Sequence, residues 1–143
     1  LDGVMVNAGG DVACLGTPAP GEAFRVGIVR PDSRLELATI VDVAGAVATS
    51  GTYERGEHLV NPFSGHLASA VASATVTGPD LGMADALATA LCVAGPTMLE
   101  LLGDIDGYEG FTIGHDGARG ATERFPFARR VGAVADAEAD ADA

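Results

Sequence analysis

The sequence contains no lysine, and its 20 acidic side chains outnumber its 8 basic ones, all of which are arginine. The formal net charge is −12 for 143 residues. A protein that binds nucleic acid needs a basic surface to neutralise phosphates, and this composition does not provide one. We therefore expect no nucleic acid among the partners of this chain.

Long apolar runs and cysteine frameworks are also missing. No stretch approaches the roughly 18 to 20 consecutive apolar residues of a transmembrane helix, and no signal peptide is recognisable. Cys14 and Cys92 do not have metal-ligand spacing, and they do not suggest a disulfide framework. Because Cys92 lies in the apolar run "ALCVAG", we expect a small buried side chain there.

Hydrophobic residues make up 48% of the sequence, which is enough for one core. Strands are predicted mostly first and helices late, which indicates the α+β class. The predicted strands lie in "GVMVNAGGDVACLG" (broken at Gly9-Gly10), "AFRVGIVRP", "RLELATIVD", "SAVASATVTGP", "YEGFTIGHDG" and "ATERFPF". A helix is predicted in "ADALATALCVA", from Pro79-Asp80 to Gly95-Pro96, and a shorter one in "TMLELLGDI".

The last residues have a different composition. From about Ala128 the chain is rich in alanine and aspartate and too poor in large apolar residues to fold alone. We therefore predict a folded domain over residues 1–128 and an acidic, disordered tail over residues 129–143.

Several polar clusters could hold a ligand, and each has a plainer explanation. The glycines of "NAGGDV" could let backbone N–H groups approach a phosphate before Asp11, but a tight turn explains them as well. Arg55, close to Ser50 and Gly51, could bind an anion or lie on the surface. His58 could act as a general base or sit at a strand edge.

The predicted long helix carries a second kind of candidate. Asp85 and Thr89 are four residues apart, so they share one helix face and present two oxygens side by side. Two oxygens are too few for Mg²⁺, which prefers about six oxygen ligands. Further oxygens would have to come from the backbone, from water and from a phosphate-bearing ligand. An ordinary polar stripe on a surface helix is the alternative.

In their order and spacing these clusters resemble the ApbE family of flavin transferases. The matching pieces are "VNAGGDV", "AVATSGTYER", "HLVNPFSG", "ATVTGPDLGMADALATAL" and "FTIGHDG", which span roughly residues 4 to 117. The resemblance implies an ApbE-like, T-fold-related mixed sheet with helices packed on it. It also implies magnesium-dependent transfer of the FMN part of FAD to a threonine hydroxyl of an acceptor protein, with release of AMP.

The resemblance also implies roles for individual residues. By position, Asp85 and Thr89 match metal ligands, His58 matches the base that activates the acceptor hydroxyl, and Leu59 matches a residue in contact with FAD. The residues expected to shape the cofactor pocket are Gly9, Gly10, Asp11, Ser50, Gly51 and Arg55.

The sequence departs from the family pattern in two ways. The family usually has Asp where this chain has Asn61, and its members are about twice as long. The resemblance therefore identifies this chain as the C-terminal half of an ApbE-like protein, truncated at its N-terminus. FAD hydrolysis to FMN and AMP, or flavin binding without catalysis, are the alternative functions. Localisation stays open between a membrane-anchored envelope lipoprotein and a cytoplasmic form.

A short segment near the end of the predicted domain raises one more possibility. Acceptor proteins of this family carry an Asp, two variable residues, Ser or Thr, and then Gly-Ala-Thr. "DGARGAT", residues 116–122, resembles that motif, but Arg119 occupies the Ser/Thr position. Self-modification at Thr122 is therefore a secondary hypothesis.

Overall fold

The computed structural model describes residues 2–51, 60–66 and 70–129. In these ranges the chain forms eight strands: β1 (Gly3–Ala8), β2 (Asp11–Gly16), β3 (Phe24–Arg30), β4 (Ser33–Val43), β5 (Ala46–Gly51), β6 (Ser73–Gly78), β7 (Glu109–Ile113) and β8 (Arg119–Ala121). Helices α1 (Leu81–Ala94) and α2 (Met98–Gly103) lie between β6 and β7. The predicted α+β class is confirmed. The predicted tail falls almost entirely outside the described residues.

Six of the strands form one sheet in the order β1-β2-β5-β6-β7-β8, and β3 and β4 form a separate hairpin. Every described strand pair in the six-stranded sheet is antiparallel. The β1–β2 connection has only two residues, Gly9 and Gly10, with φ of 71° and 109°. Both central residues of such a hairpin turn need positive φ, which glycine adopts without steric cost.

The sheet has an apolar core on each face. On one face α1 and α2 cover Ala48, Ala74 and Val76, with Leu91 and Leu102 fully buried between helices and sheet. On the other face the β3–β4 hairpin packs its buried Val41 and Val43 against the sheet; the other members of this second core include Val47, Phe111 and Phe125. The sheet is therefore the middle layer of three, and residues that alternate along its strands face different layers.

Helix α1 begins and ends close to the predicted residues. Asp80 is its N-cap, and the side-chain Oδ1 accepts a hydrogen bond from the backbone N–H of Met83 at 2.8 Å. The helix ends before Gly95, whose φ of 81° suits glycine and whose N–H donates to the carbonyl of Leu91. Neither helix in the described part of the chain is long and apolar enough to cross a membrane.

The N-cap of α1 gives a first prediction. Replacing Asp80 with alanine removes the acceptor for the Met83 N–H and should lower the free energy of unfolding by about 1 kcal/mol. Asp80→Asn keeps a side-chain oxygen at the cap and should stay within a few tenths of a kcal/mol of the parent chain. Urea denaturation followed by circular dichroism measures both values, and equal losses in the two variants would contradict a capping role.

The end of the described chain differs from the sequence prediction. A strand was expected in "ATERFPF", but β8 covers only Arg119–Ala121. The following residues instead turn, with the N–H of Phe125 donating to the carbonyl of Thr122, and pack the rings of Phe125 and Phe127 against Phe111. Aromatic packing over the second core therefore replaces strand pairing, apart from a single bridge between Phe127 and Val41.

Candidate functional site

Two hydroxyl groups from different elements meet between the sheet and α1. The Oγ of Ser50, near the end of β5, lies 3.0 Å from the Oγ1 of Thr89 on α1, at hydrogen-bonding distance. Asp85 lies one helical turn before Thr89 and is exposed. Asp85 and Thr89 occupy the i and i+4 positions of a single helix, as the sequence predicted. The contact with Ser50 was not foreseen.

The packing of α1 explains why these side chains meet. Alternation along β5 directs Ala48 and Ser50 towards α1, while Val47 contributes to the core under the hairpin. The buried residues of α1 include Ala84 and Ala88. Such small side chains let the helix approach the sheet closely, and this brings the short side chains of Ser50 and Thr89 into contact.

The antiparallel topology gathers other predicted site residues at the same end of the sheet. β5 ends at Gly51, which pairs with Ser73 at the start of β6, and Ser73 also pairs with Ile113 at the end of β7. β2 runs antiparallel to β5, so its first residue, Asp11, and the preceding glycine turn lie at this end too. Motifs that are far apart in the sequence are thus brought to one end of the sheet.

The individual residues of the glycine turn have a clear structural role. The Oδ1 of Asn7 accepts a hydrogen bond from the N–H of Gly10 at 3.0 Å, which fixes the turn. No atom lies within 4 Å of the position that a Cβ would take at Gly9, so the positive φ, and not crowding, requires glycine there. The turn accounts for both glycines, and their predicted contribution to a cofactor pocket stays a prediction.

Asn61, the departure from the family pattern, shapes a tight turn. Its Oδ1 accepts hydrogen bonds from the N–H groups of Phe63 at 2.9 Å and Ser64 at 3.2 Å. An aspartate carboxylate offers the same acceptor, so the amide is sufficient for this turn. Three other predicted site residues, Arg55, His58 and Leu59, lie outside the described residues.

A pocket of about 330 Å³ lies at the same end of the sheet, on the side of the β3–β4 hairpin. Its polar lining includes Arg30, His115 and Arg119. The guanidinium group of Arg30 contacts Asp32 at 2.6 Å, and Arg119 donates to the backbone carbonyl of Ala38 at 3.2 Å. No local motif in the sequence indicates a cavity between two separate turns, so this pocket was not predicted.

The side-chain oxygens of Asp85 and Thr89 on α1 are of the kind that binds hard cations. A carboxylate and hydroxyl oxygens are the ligand types that Mg²⁺ prefers. In the described ranges no group of three or more His, Cys, Asp or Glu side chains could hold a metal ion. The oxygens of Asp85 and Thr89 are of the type that Mg²⁺ accepts, but two are fewer than the roughly six that it usually binds, and their role as metal ligands stays a prediction.

The cysteines and Thr122 are unsuited to chemistry at the surface. Cys14 and Cys92 are buried free thiols, and burial raises the pKa of both above the ordinary value. Their thiolate forms, which are the nucleophiles and metal ligands, are therefore disfavoured. Thr122 is buried and its Oγ1 accepts a hydrogen bond from the N–H of Gly110 at 3.0 Å. A buried, bonded hydroxyl does not favour the self-modification hypothesis.

Comparison with known proteins identifies a family and solved structures that this chain resembles. The ApbE family profile matches residues 1–111. Among solved structures, the ApbE protein of Thermotoga maritima is 31% identical, with a TM-score of 0.72 over 85% of this chain and 43% of that one. The flavinyl transferase ApbE of Pseudomonas stutzeri is 30% identical, with a TM-score of 0.65 over 83% of this chain and 40% of that one.

The flavin transferase ApbE of Vibrio cholerae is 27% identical, with a TM-score of 0.67 over 85% of this chain and 42% of that one. No curated protein sequence gives a significant match. Fold, family profile and structural likeness define the class, a flavin-transferase-like α+β domain. The chain belongs to the ApbE family, and it spans less than half the length of each of these three structures.

Proposed function

We propose that this chain contributes the metal-side half of the active site in an ApbE-type transferase. The reaction is magnesium-dependent transfer of the FMN part of FAD to a threonine hydroxyl of an acceptor protein, with release of AMP. The observation that supports this most directly is the contact between Ser50 and Thr89, one helical turn after Asp85, at the end of the sheet where β5 ends and the β1–β2 glycine turn lies.

We propose one role for each of these side chains. Asp85 and Thr89 would hold Mg²⁺, which when bound neutralises negative charge on the diphosphate oxygens of FAD. The pocket around the cofactor would include Leu59 and the residues Gly9, Gly10, Asp11, Ser50, Gly51 and Arg55. Glycine backbones admit close approach of a ligand, and an arginine matches the geometry of phosphate oxygens.

The chemical step is a displacement at phosphorus. The threonine oxygen of the acceptor forms a bond to the phosphorus of the FMN part, and the bond from that phosphorus to the oxygen of the AMP part breaks. His58 would remove the proton of the attacking hydroxyl, because a neutral imidazole is a suitable base near pH 7. The products are an FMN–threonine phosphoester and AMP.

The proposal is tested by measuring AMP release from FAD with and without Mg²⁺. Two proteins are compared: the 143-residue chain, and a chimera in which this chain replaces its matching part of the Thermotoga maritima ApbE protein. We expect release from the chimera only when Mg²⁺ and a threonine-containing acceptor are present, with a mass increase of one FMN on the acceptor.

The other outcomes have distinct meanings. AMP release without modification of the acceptor would replace the proposal by FAD hydrolysis. FAD binding without AMP release in either protein, while the unaltered Thermotoga maritima protein is active in the same assay, would indicate a flavin-binding module without catalysis. Full activity of the 143-residue chain alone would show that it holds a complete site and would contradict a half-site.

A further inference from the structure

The role of Ser50 is more specific than lining a pocket. The conformation of Thr89 matters because a threonine in a helix populates two χ1 rotamers, in one of which Oγ1 donates to the carbonyl four residues earlier. For Thr89 that carbonyl belongs to Asp85. A proton that Thr89 donates to this carbonyl is not available for a hydrogen bond to Ser50 on the sheet.

We infer that Ser50 is a positioning residue that orients the Thr89 hydroxyl as a ligand for the divalent cation; the inference rests on the proposed function. The 3.0 Å contact between Ser50 Oγ and Thr89 Oγ1 offers Thr89 a partner on the sheet that competes with the Asp85 carbonyl. When Oγ1 directs a lone pair to a cation, its proton must point elsewhere. Either hydroxyl can donate in the 3.0 Å contact, and cation binding would favour the direction in which Thr89 donates the hydrogen bond and Ser50 Oγ accepts it.

The same two strands provide a matched control. Thr49, the neighbour of Ser50 on β5, has its Oγ1 2.9 Å from the Oγ1 of Thr75 on β6. This second hydroxyl pair lies on the opposite face of the sheet, because adjacent residues of a strand alternate. Thr75 is fully buried, so loss of the Thr49 hydroxyl disturbs the structure at least as much as loss of the Ser50 hydroxyl.

The test uses Mn²⁺ as a probe for the magnesium site in the 143-residue chain. Binding is followed by the paramagnetic broadening of the Asp85 and Thr89 amide signals in ¹H–¹⁵N NMR spectra. We expect Ser50→Ala to weaken Mn²⁺ binding by about fivefold to tenfold, the effect of one hydrogen bond. Thr49→Val should leave the Mn²⁺ affinity unchanged. Ser50→Thr keeps a hydroxyl group at this position and should retain the affinity of the parent chain.

The second measurement is the Mg²⁺ concentration for half-maximal AMP release by the chimera. Ser50→Ala should raise this concentration by a similar factor, with a smaller effect on the rate at saturating Mg²⁺. A loss of folding would instead lower the rate at every Mg²⁺ concentration and would remove the dispersed NMR spectrum.

The failures of the inference and of the proposed function are distinguishable. Mn²⁺ that broadens Asp85 and Thr89 equally in the parent chain and in Ser50→Ala would overturn the positioning role and leave the metal site intact. Weakening by Thr49→Val as large as by Ser50→Ala would overturn it as well. Absence of broadening in the parent chain, together with Mg²⁺-independent AMP release, would remove the metal site and the inference with it.

Discussion

Exchange of Asp85 for asparagine is expected to reduce magnesium-dependent AMP release by the chimera by at least about 100-fold, a typical effect of removing one group that stabilises charge in a transition state. The change keeps the size of the side chain and removes its negative charge. Asp85 is the carboxylate nearest along α1 to the Ser50–Thr89 contact, and its exposure leaves it accessible to a ligand. Steady-state kinetics over a series of Mg²⁺ concentrations measure the effect.

A matched variant separates this effect from a general loss of negative charge. Glu100 is an exposed acid on α2, and Glu100→Gln should leave the rate unchanged. Both are exposed helical positions, where substitutions usually change stability by less than about 0.5 kcal/mol. If Asp85→Asn retained the parent rate and the parent Mg²⁺ dependence, Asp85 would not be a metal ligand.

The largest effect on stability is expected in the core between α1 and the sheet. Leu91 is fully buried, and its truncation in Leu91→Ala should lower the free energy of unfolding by about 2–5 kcal/mol through lost burial and a residual cavity. The cavity cannot close easily, because Gly110 of β7 has no side chain to move into it. A Cβ there would lie 3.1 Å from Leu91 and closer still to Leu102.

Leu101→Ala is the control for this prediction. Leu101 is 63% exposed on α2, so the same truncation should cost well under half as much. Urea denaturation measures both changes in the free energy of unfolding: if the m-value is the same, each change appears as a shift of the urea concentration at the midpoint. A loss for Leu91→Ala no greater than that for Leu101→Ala would mean that α1 does not pack against the sheet in the way described.

Local sequence signals predicted the parts of the fold that depend on neighbouring residues. The Gly9-Gly10 turn has a mechanism that is readable from the sequence, since only glycine adopts positive φ freely at both central positions. The cap at Asp80 and the glycine after α1 are signals of the same kind. The strand expected in "ATERFPF" was wrong, because Phe125 and Phe127 of this segment pack against Phe111, a contact over more than ten residues that no local pattern indicates.

The candidate site was predictable only in part, because it combines local helix geometry with contacts between residues that are distant in the sequence. The i and i+4 spacing placed Asp85 and Thr89 on one helix, because helical geometry is local. Their contact with Ser50 depends on which strand α1 crosses and on how closely it approaches, and no spacing rule gives either. The pocket beside His115 depends likewise on two turns that meet only in the folded chain.

The Ser50–Thr89 contact joins residues 39 positions apart in the chain. Contacts of such separation carry a high loop-closure entropy and tend to form after local hairpins such as β1–β2 and β3–β4. The Ser50–Thr89 contact therefore forms only after β5, β6 and α1 have packed together. A chain that has formed only its hairpins and helical turns would lack this contact, so the cation binding proposed at Thr89 would be thermodynamically linked to completion of the fold.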